Sequence, residues 1–421
     1  MSFFVSLARV QTFRSLQKHR NYRLYFSGNM VSQIGNWLQN GAQAWLILDL
    51  THSAAAVGVL SLALYGPYAL VGLIGGTLSD RFEHRTTLLW TQTALLLCAS
   101  LLAGLTLFHS ITVWEVDAIA AARSLVLALN NPSRVAFLVQ MVGREELPNA
   151  VALNASVTSM ARIIGPGIAG LLIEVFGTGW CFALNATSYL GVVFALLLMN
   201  VQELYPIERK KIPPLWQGLG EGLRYIWRVP SLLLTFLMLL FIMTVSVNFS
   251  LLIPVLTEQT LHSGPEIYGI LFATLGVGSL TGALLAASFK RLRWSALFIG
   301  AGGLGVFQII LAPFTITVVC AGLLLLTGVC YTLYTSTSNA IIQLATPKHF
   351  QGRIAGLSTY IVTGVGPLGT ALSGWLSQEG GTSLAFLVAG GVGLLTAIGA
   401  GTYMYLWKNR LHGGVSPADF V

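Results

Sequence analysis

The chain has 421 residues, of which 55% are hydrophobic and only 9% are Asp, Glu, Lys or Arg, with a formal net charge of +8. Soluble proteins carry roughly 25% charged residues, so a water-facing surface of ordinary composition cannot be built from this chain. A soluble enzyme, a disordered chain and a secreted disulfide scaffold are excluded, and an all-α integral membrane protein is implied.

A helix needs about 20 apolar residues to cross the hydrocarbon layer. Twelve segments qualify: 22–48, 54–78, 86–108, 113–133, 150–174, 180–200, 231–256, 267–289, 294–314, 316–344, 352–376 and 383–407. Residues 1–21 form a segment before them. They alternate apolar and basic side chains without a cleavage site, so the first span is expected to be retained. Residues 201–230 are the longest polar connection, and 214–228 within them read as a basic amphipathic helix on the membrane surface. This gives an N-terminal six-helix bundle over 22–200, a linker over 201–230, a C-terminal six-helix bundle over 231–407 and a tail over 408–421. With the N-terminus inside, 21 of the 23 basic residues fall in inner segments and the outer loops hold none. The expected setting is a bacterial cytoplasmic membrane with both termini cytoplasmic. The positive excess marks topology, not nucleic acid.

The first span carries Asn29, Gln33, Asn36, Asn40 and Gln43, spaced four, three, four and three apart. At 100° per residue these fall within an arc of about 80°. Such a stripe faces protein or water rather than lipid, so it either lines a substrate cavity or bonds neighbouring helices. Trp37 and Tyr65 are candidates to stack on an aromatic substrate; the alternative for aromatics is interfacial anchoring.

The second span ends in Gly75-Gly76-Thr77-Leu78-Ser79-Asp80-Arg81-Phe82-Glu83-His84-Arg85. This resembles the signature between the second and third helices of the major facilitator superfamily, matched by Gly76, Asp80, Arg81 and Arg85, with Glu83 where glycine is usual. The resemblance implies two six-helix bundles and an inner gate built on these four residues. A charged loop that merely obeys the positive-inside rule is the other reading. In the fifth span, Gly165, Pro166 and Gly170 resemble an antiporter signature, with Ala169 replacing one glycine. Packing by small residues gives the same pattern. The phrases around Arg162, at His19–Arg23 and at Leu48–Ser53 resemble the enterobactin-exporter-like, drug-efflux branch.

Arg123 and Arg162 lie inside spans, each about 15–18 Å from the outer end of its helix at 1.5 Å per residue. Buried cations need partners or water. Arg123 matches the fourth-span arginine that the resemblance implicates in proton coupling, and an ion pair is the alternative. The branch commonly has aspartate where Asn36 stands, and Asn36 cannot titrate. Asp117 is then the membrane-embedded carboxylate left to carry a proton, with Glu115 beside it. No histidine lies deep in a span, so a histidine relay is not expected. The halves echo one another in Gly165-Pro166 and Gly366-Pro367, and in Val57-Gly58-Val59-Leu60 and Tyr268-Gly269-Ile270-Leu271. These echoes suit two homologous bundles.

The function expected is export of small amphipathic molecules, drug-like or siderophore-like, by alternating access, with a proton gradient as energy source and no cofactor or metal. Two span arginines and few buried acids favour an anionic or neutral cargo. An importer, or a flippase for lysophospholipids or other lipids, would share the architecture. The partners expected are the cargo and the bilayer, with no nucleic acid, and the chain is expected to be a monomer. No nucleophile–base pair, ligand cluster, filter motif or nucleotide-binding loop is present to support an enzyme, a channel or an ATP-driven pump.

Overall fold

The computed structural model describes residues 13–79, 82–206, 215–288, 294–347 and 350–410. Its helices are α1 (Arg14–Lys18), α2 (Arg20–Thr51), α3 (Ala54–Ser79), α4 (His84–Leu107), α5 (Val113–Phe176), α6 (Thr178–Leu197), α7 (Leu215–Arg228), α8 (Pro230–Phe241), α9 (Phe249–Val255), α10 (Pro265–Ser288), α11 (Trp294–Leu311), α12 (Thr317–Ala345), α13 (Gln351–Tyr360) and α14 (Gly366–Arg410). No strand occurs among the described residues.

Among the described residues, nine helical stretches are long and apolar enough to cross a membrane. Two of these are double-length. α5 breaks at Gly143, whose φ is 70°, and α14 breaks at Gly380–Gly381. Each therefore folds back as two limbs. α2 falls short on apolar content alone, because its amides occupy the face an ordinary span gives to leucine. Counted this way, the helices are consistent with the twelve crossings read from the sequence. Bonding within each helix is the only way to satisfy its backbone in hydrocarbon.

The chain divides into two compact units. The first is Met1–Gln43 with Leu70–Lys211, and the second is Ala44–Ala69 with Ile212–Val421. The C-terminal end of α2 and the start of α3 thus group with the C-terminal helices.

In the first unit, Tyr22, Tyr25, Leu88, Phe137, Met141, Val192 and Leu196 form a core near the basic ends of the helices. α1 is clasped there by Glu146, which accepts from Arg14 Nε and Lys18 Nζ at 2.8 Å each. Lys18 chiefly, with Arg14 in support, holds the Glu146 carboxyl below its ordinary range.

In the second unit, the seventh span is interrupted. Turns of π-helix at Ile242–Ser246 and Leu256–Thr260 flank α9, and Val247–Asn248 depart from helical geometry. A further π-turn, Ile361–Val365, joins α13 to α14. α10 and α12 approach closely at Gly278 and Gly282, where a Cβ would collide with the carbonyls of Leu325 and Val329. Four-residue spacing puts both glycines on one face, the small-residue packing that membrane helices use. α7 covers the sequence-expected surface helix, tied by an Arg353–Glu221 ion pair and by Tyr225 stacked on Phe350 at 4.9 Å.

The echo between the halves extends into backbone geometry. His52 follows α2 at φ 50°, and His262 follows the corresponding seventh span at φ 48°. His52 is followed by Ser53 and then α3, and His262 by Ser263, Gly264 and then α10. Both residues adopt the left-handed conformation that ends a helix.

Candidate functional site

The amides of α2 are distributed among three neighbouring helices. Asn29 Nδ2 donates to Asn154 Oδ1 at 3.2 Å, and Gln33 Nε2 to Thr158 Oγ1 at 3.1 Å, both on the second limb of α5. One and two turns further along, the acceptors meet a charge. Arg123, on the first limb of α5 and only 4% exposed, donates from Nη2 to Asn36 Oδ1 and from Nη1 to Asn40 Oδ1, each at 2.8 Å. Tyr189 on α6 donates its hydroxyl to the same Asn36 oxygen at 2.5 Å. Asn36 Nδ2 turns back to its own helix, donating to Ser32 O at 2.8 Å. Both side chains bonded to the guanidinium are therefore neutral amides.

The remaining members of the stripe are placed differently. Gln43 is fully buried, and its Oε1 faces Gln39 Nε2 at 3.5 Å. Gln39 Oε1 accepts from Asn185 Nδ2 of α6 at 2.5 Å. Gln33, Asn36, Trp37 and Asn40 are half-buried, whereas Asn29 and Gln43 are closed off. Arg162 is exposed on α5, its guanidinium 5.1 Å from the centroid of the Trp37 indole, a cation–π distance. Gly165 lets α5 approach α2 at this level: a Cβ there would lie 2.5 Å from Trp37 Cβ and 2.9 Å from Leu38 N. Pro166 and Gly170 are buried beside it.

Asp117, one and a half turns from Arg123 on the same limb, is buried, and its Oδ1 has no hydrogen-bond partner among the described residues. No ion pair joins it to Arg123 there. Tyr65, half-buried on α3, belongs to the second unit. Of the four gate residues, Asp80 and Arg81 lie outside the described residues. Gly76 falls within α3, and Arg85 donates from Nε to Leu196 O at 3.0 Å. No cluster of His, Cys, Asp and Glu suited to a metal occurs among the described residues.

Sequence reasoning passed over Gln39, Asn185 and Tyr189. The signal was present, since Asn185, Ser188 and Tyr189 recur at helical spacing in an apolar span, as the α2 amides do. Only the packed helices show that the two patterns face each other.

A family model described as "Transmembrane secretion effector" matches residues 12–411. The chain belongs to this family, within the major facilitator superfamily. Among curated relatives of this secretion-effector chain, the enterobactin exporter EntS of Shigella flexneri is 30% identical over 400 residues, covering 90% of each chain. Macrolide efflux protein A of Streptococcus pyogenes is 24% identical over 397 residues, covering 91% of this chain and 96% of its own. Among solved structures, the nucleoside transporter NupG aligns at TM-score 0.70 with 11% identity, covering 91% of this chain and 99% of its own. A bacterial homologue of the lysosomal transporter Spinster aligns at 0.66 with 13% identity, covering 97% and 99%. At those identities the structural likeness establishes the fold alone, and it is the major facilitator fold that the sequence signature implied.

Proposed function

We propose that the protein exports small amphipathic molecules by alternating access, driven by inward proton movement through the same chain. The family match and the efflux relatives support the export reading. The half-buried Gln33, Asn36, Trp37 and Asn40 face of the first unit supplies a polar surface with one aromatic plane for an amphipathic cargo. The cargoes named for the relatives are a macrolide and enterobactin.

The observation that carries the coupling reading is Asp117. A carboxylate buried in a span with a vacant oxygen is costly to keep ionised, and protonation removes that cost. Asp117 therefore takes a proton in one conformation and releases it when a rearrangement exposes it to water. The basic loops orient the termini toward the cytoplasm.

The test is transport in proteoliposomes under imposed pH gradients of both signs. Cargo flux should reverse with the gradient in the wild type and become indifferent to it in Asp117→Asn. Flux that ignores the gradient in the wild type defeats antiport. Coupled flux that persists in Asp117→Asn defeats this choice of carrier.

A further inference from the structure

A guanidinium presents five N–H donors and has no acceptor. Arg123 is nine-tenths buried or more and, among the described residues, bonds only to two amide oxygens, Asn36 Oδ1 and Asn40 Oδ1. Its Nε is buried and has no partner, and no carboxylate lies within ion-pair distance among the described residues. A cation in that position is compensated poorly by amides, which supply dipoles but no charge. The two asparagines are only half-buried, so they stand between Arg123 and the accessible side of α2.

We propose that Arg123, Asn36, Asn40 and Tyr189 form a receptor for one carboxylate carried by the cargo, with the asparagine oxygens as neutral placeholders while it is empty. The inference rests on the cavity reading above and adds the charge of the cargo's polar group. A carboxylate arriving on the Nε–Nη2 edge meets two parallel N–H donors, the planar match that arginine offers and lysine does not. It displaces Asn36 Oδ1 from Nη2. The freed amide can then turn its NH2 toward the incoming oxygens. The Tyr189 hydroxyl, which now donates to Asn36, transfers its hydrogen bond to the anion. No bond is made or broken beyond these hydrogen bonds, so the receptor releases its guest when the frame around α2 shifts.

The test is equilibrium dialysis of the full chain in phosphatidylcholine nanodiscs, with no pH gradient, against biphenylcarboxylate and its neutral isostere biphenylcarboxamide. The carboxylate should bind roughly tenfold more tightly or better, the scale of a charge-assisted hydrogen-bonded pair. Arg123→Gln should erase the preference and Arg123→Lys should keep part of it. Asn40→Asp serves as the second variant. It places a carboxylate permanently on Arg123, so it should lose the preference while melting no lower than the wild type. Equal binding of acid and amide by the wild type, including no binding of either, overturns the proposal. So does a preference that survives Arg123→Gln or Asn40→Asp. Loss of the preference when phosphatidylglycerol replaces part of the lipid assigns the receptor to a lipid headgroup and overturns the cargo assignment. Because dialysis imposes no gradient, its outcome is independent of whether the protein is a proton antiporter.

Discussion

The first and seventh spans occupy corresponding places in the two halves, and each carries amides in its interior. α2 runs unbroken from Arg20 to Thr51, and its amides reach outward to α5 and α6, where two of them hold the charge of Arg123. The seventh span breaks at Val247–Asn248, and its amide turns inward. Asn248 Nδ2 donates to Thr244 O, Val245 O and Ser373 Oγ at 2.9–3.0 Å, while its Oδ1 accepts from Thr370 at 2.9 Å. Nearby, Gln308 Nε2 donates to Ser246 O at 2.7 Å and Ser246 Oγ to Ala389 O at 2.6 Å. One interior is a stiff frame around a cation; the other is a neutral seam that caps a bend. The same residue type holds a charge in the first unit and backbone shape in the second.

The contrast is broken most strongly from the second unit. Asn248→Leu strips the cap from the helix break and takes the amide donor from two carbonyls and the Ser373 hydroxyl oxygen, while Thr370 keeps its bond to Gly366 O. Buried groups left unsatisfied cost about 1–3 kcal/mol, and this variant should sit near the top of that range. The measurement is thermal unfolding in detergent, with Asn36→Leu as the comparison from the first unit. That variant takes the partner from Arg123 Nη2 and from the Tyr189 hydroxyl while Arg123 keeps its bond to Asn40, so it should weaken cargo binding as well as stability, whereas Asn248→Leu should leave binding alone. If both variants lose the same stability and neither alters binding, the two interiors do not differ in kind.

Tyr189→Phe sharpens the comparison on a smaller scale. It deletes one hydroxyl donor to Asn36 without changing ring volume, so a loss of about 1 kcal/mol or less is expected. Within the receptor it should weaken carboxylate binding a few-fold while leaving the amide isostere untouched. A loss shared equally by acid and amide would make Tyr189 a packing residue only.

Much of this was readable from the chain and some was not. Span positions follow from apolar length, and the basic loops follow from charge placement, since both are local properties. The α2 stripe was readable because helical spacing alone puts its members on one face. Which member bonds which neighbour was not, because that depends on how α2 is rotated against α5 and α6. Arg123 was visible as a cation needing partners, but its placement on Asn36 and Asn40 rather than on Asp117 is a tertiary fact. The break at Asn248 was hidden for a related reason. Nothing in Thr244–Asn248 is a helix breaker by type, and the π-turn is stabilised by partners from α11 and α14, more than 50 residues away in sequence.

The smallest effect lies at the turn that follows α2, within the second unit. His52 Nδ1 meets Glu258 Oε1 at 2.7 Å, Gln259 Nε2 donates to His52 O at 3.1 Å, and Ser53 Oγ donates to Gln378 Oε1 at 3.0 Å. The hydrogen bond and charge of Glu258 raise the His52 pKa above its ordinary 6.5, with Asp49 on its own helix adding to the rise. Gln259 and Gln378, the other side chains that meet this turn, are neutral. A raised histidine pKa means the ion pair is fully formed below about pH 6.5 and is lost as pH climbs through the raised value. His262, its counterpart in the repeat, has no such carboxylate among the described residues, so only one of the two turns should respond. The melting difference between wild type and Glu258→Gln should be largest in mildly acidic buffer and close to nothing in alkaline buffer. Because His52 is exposed, the effect should be small and should shrink with added salt. A difference that stays constant with pH would leave His52 as a helix terminator and nothing more, equal in role to His262.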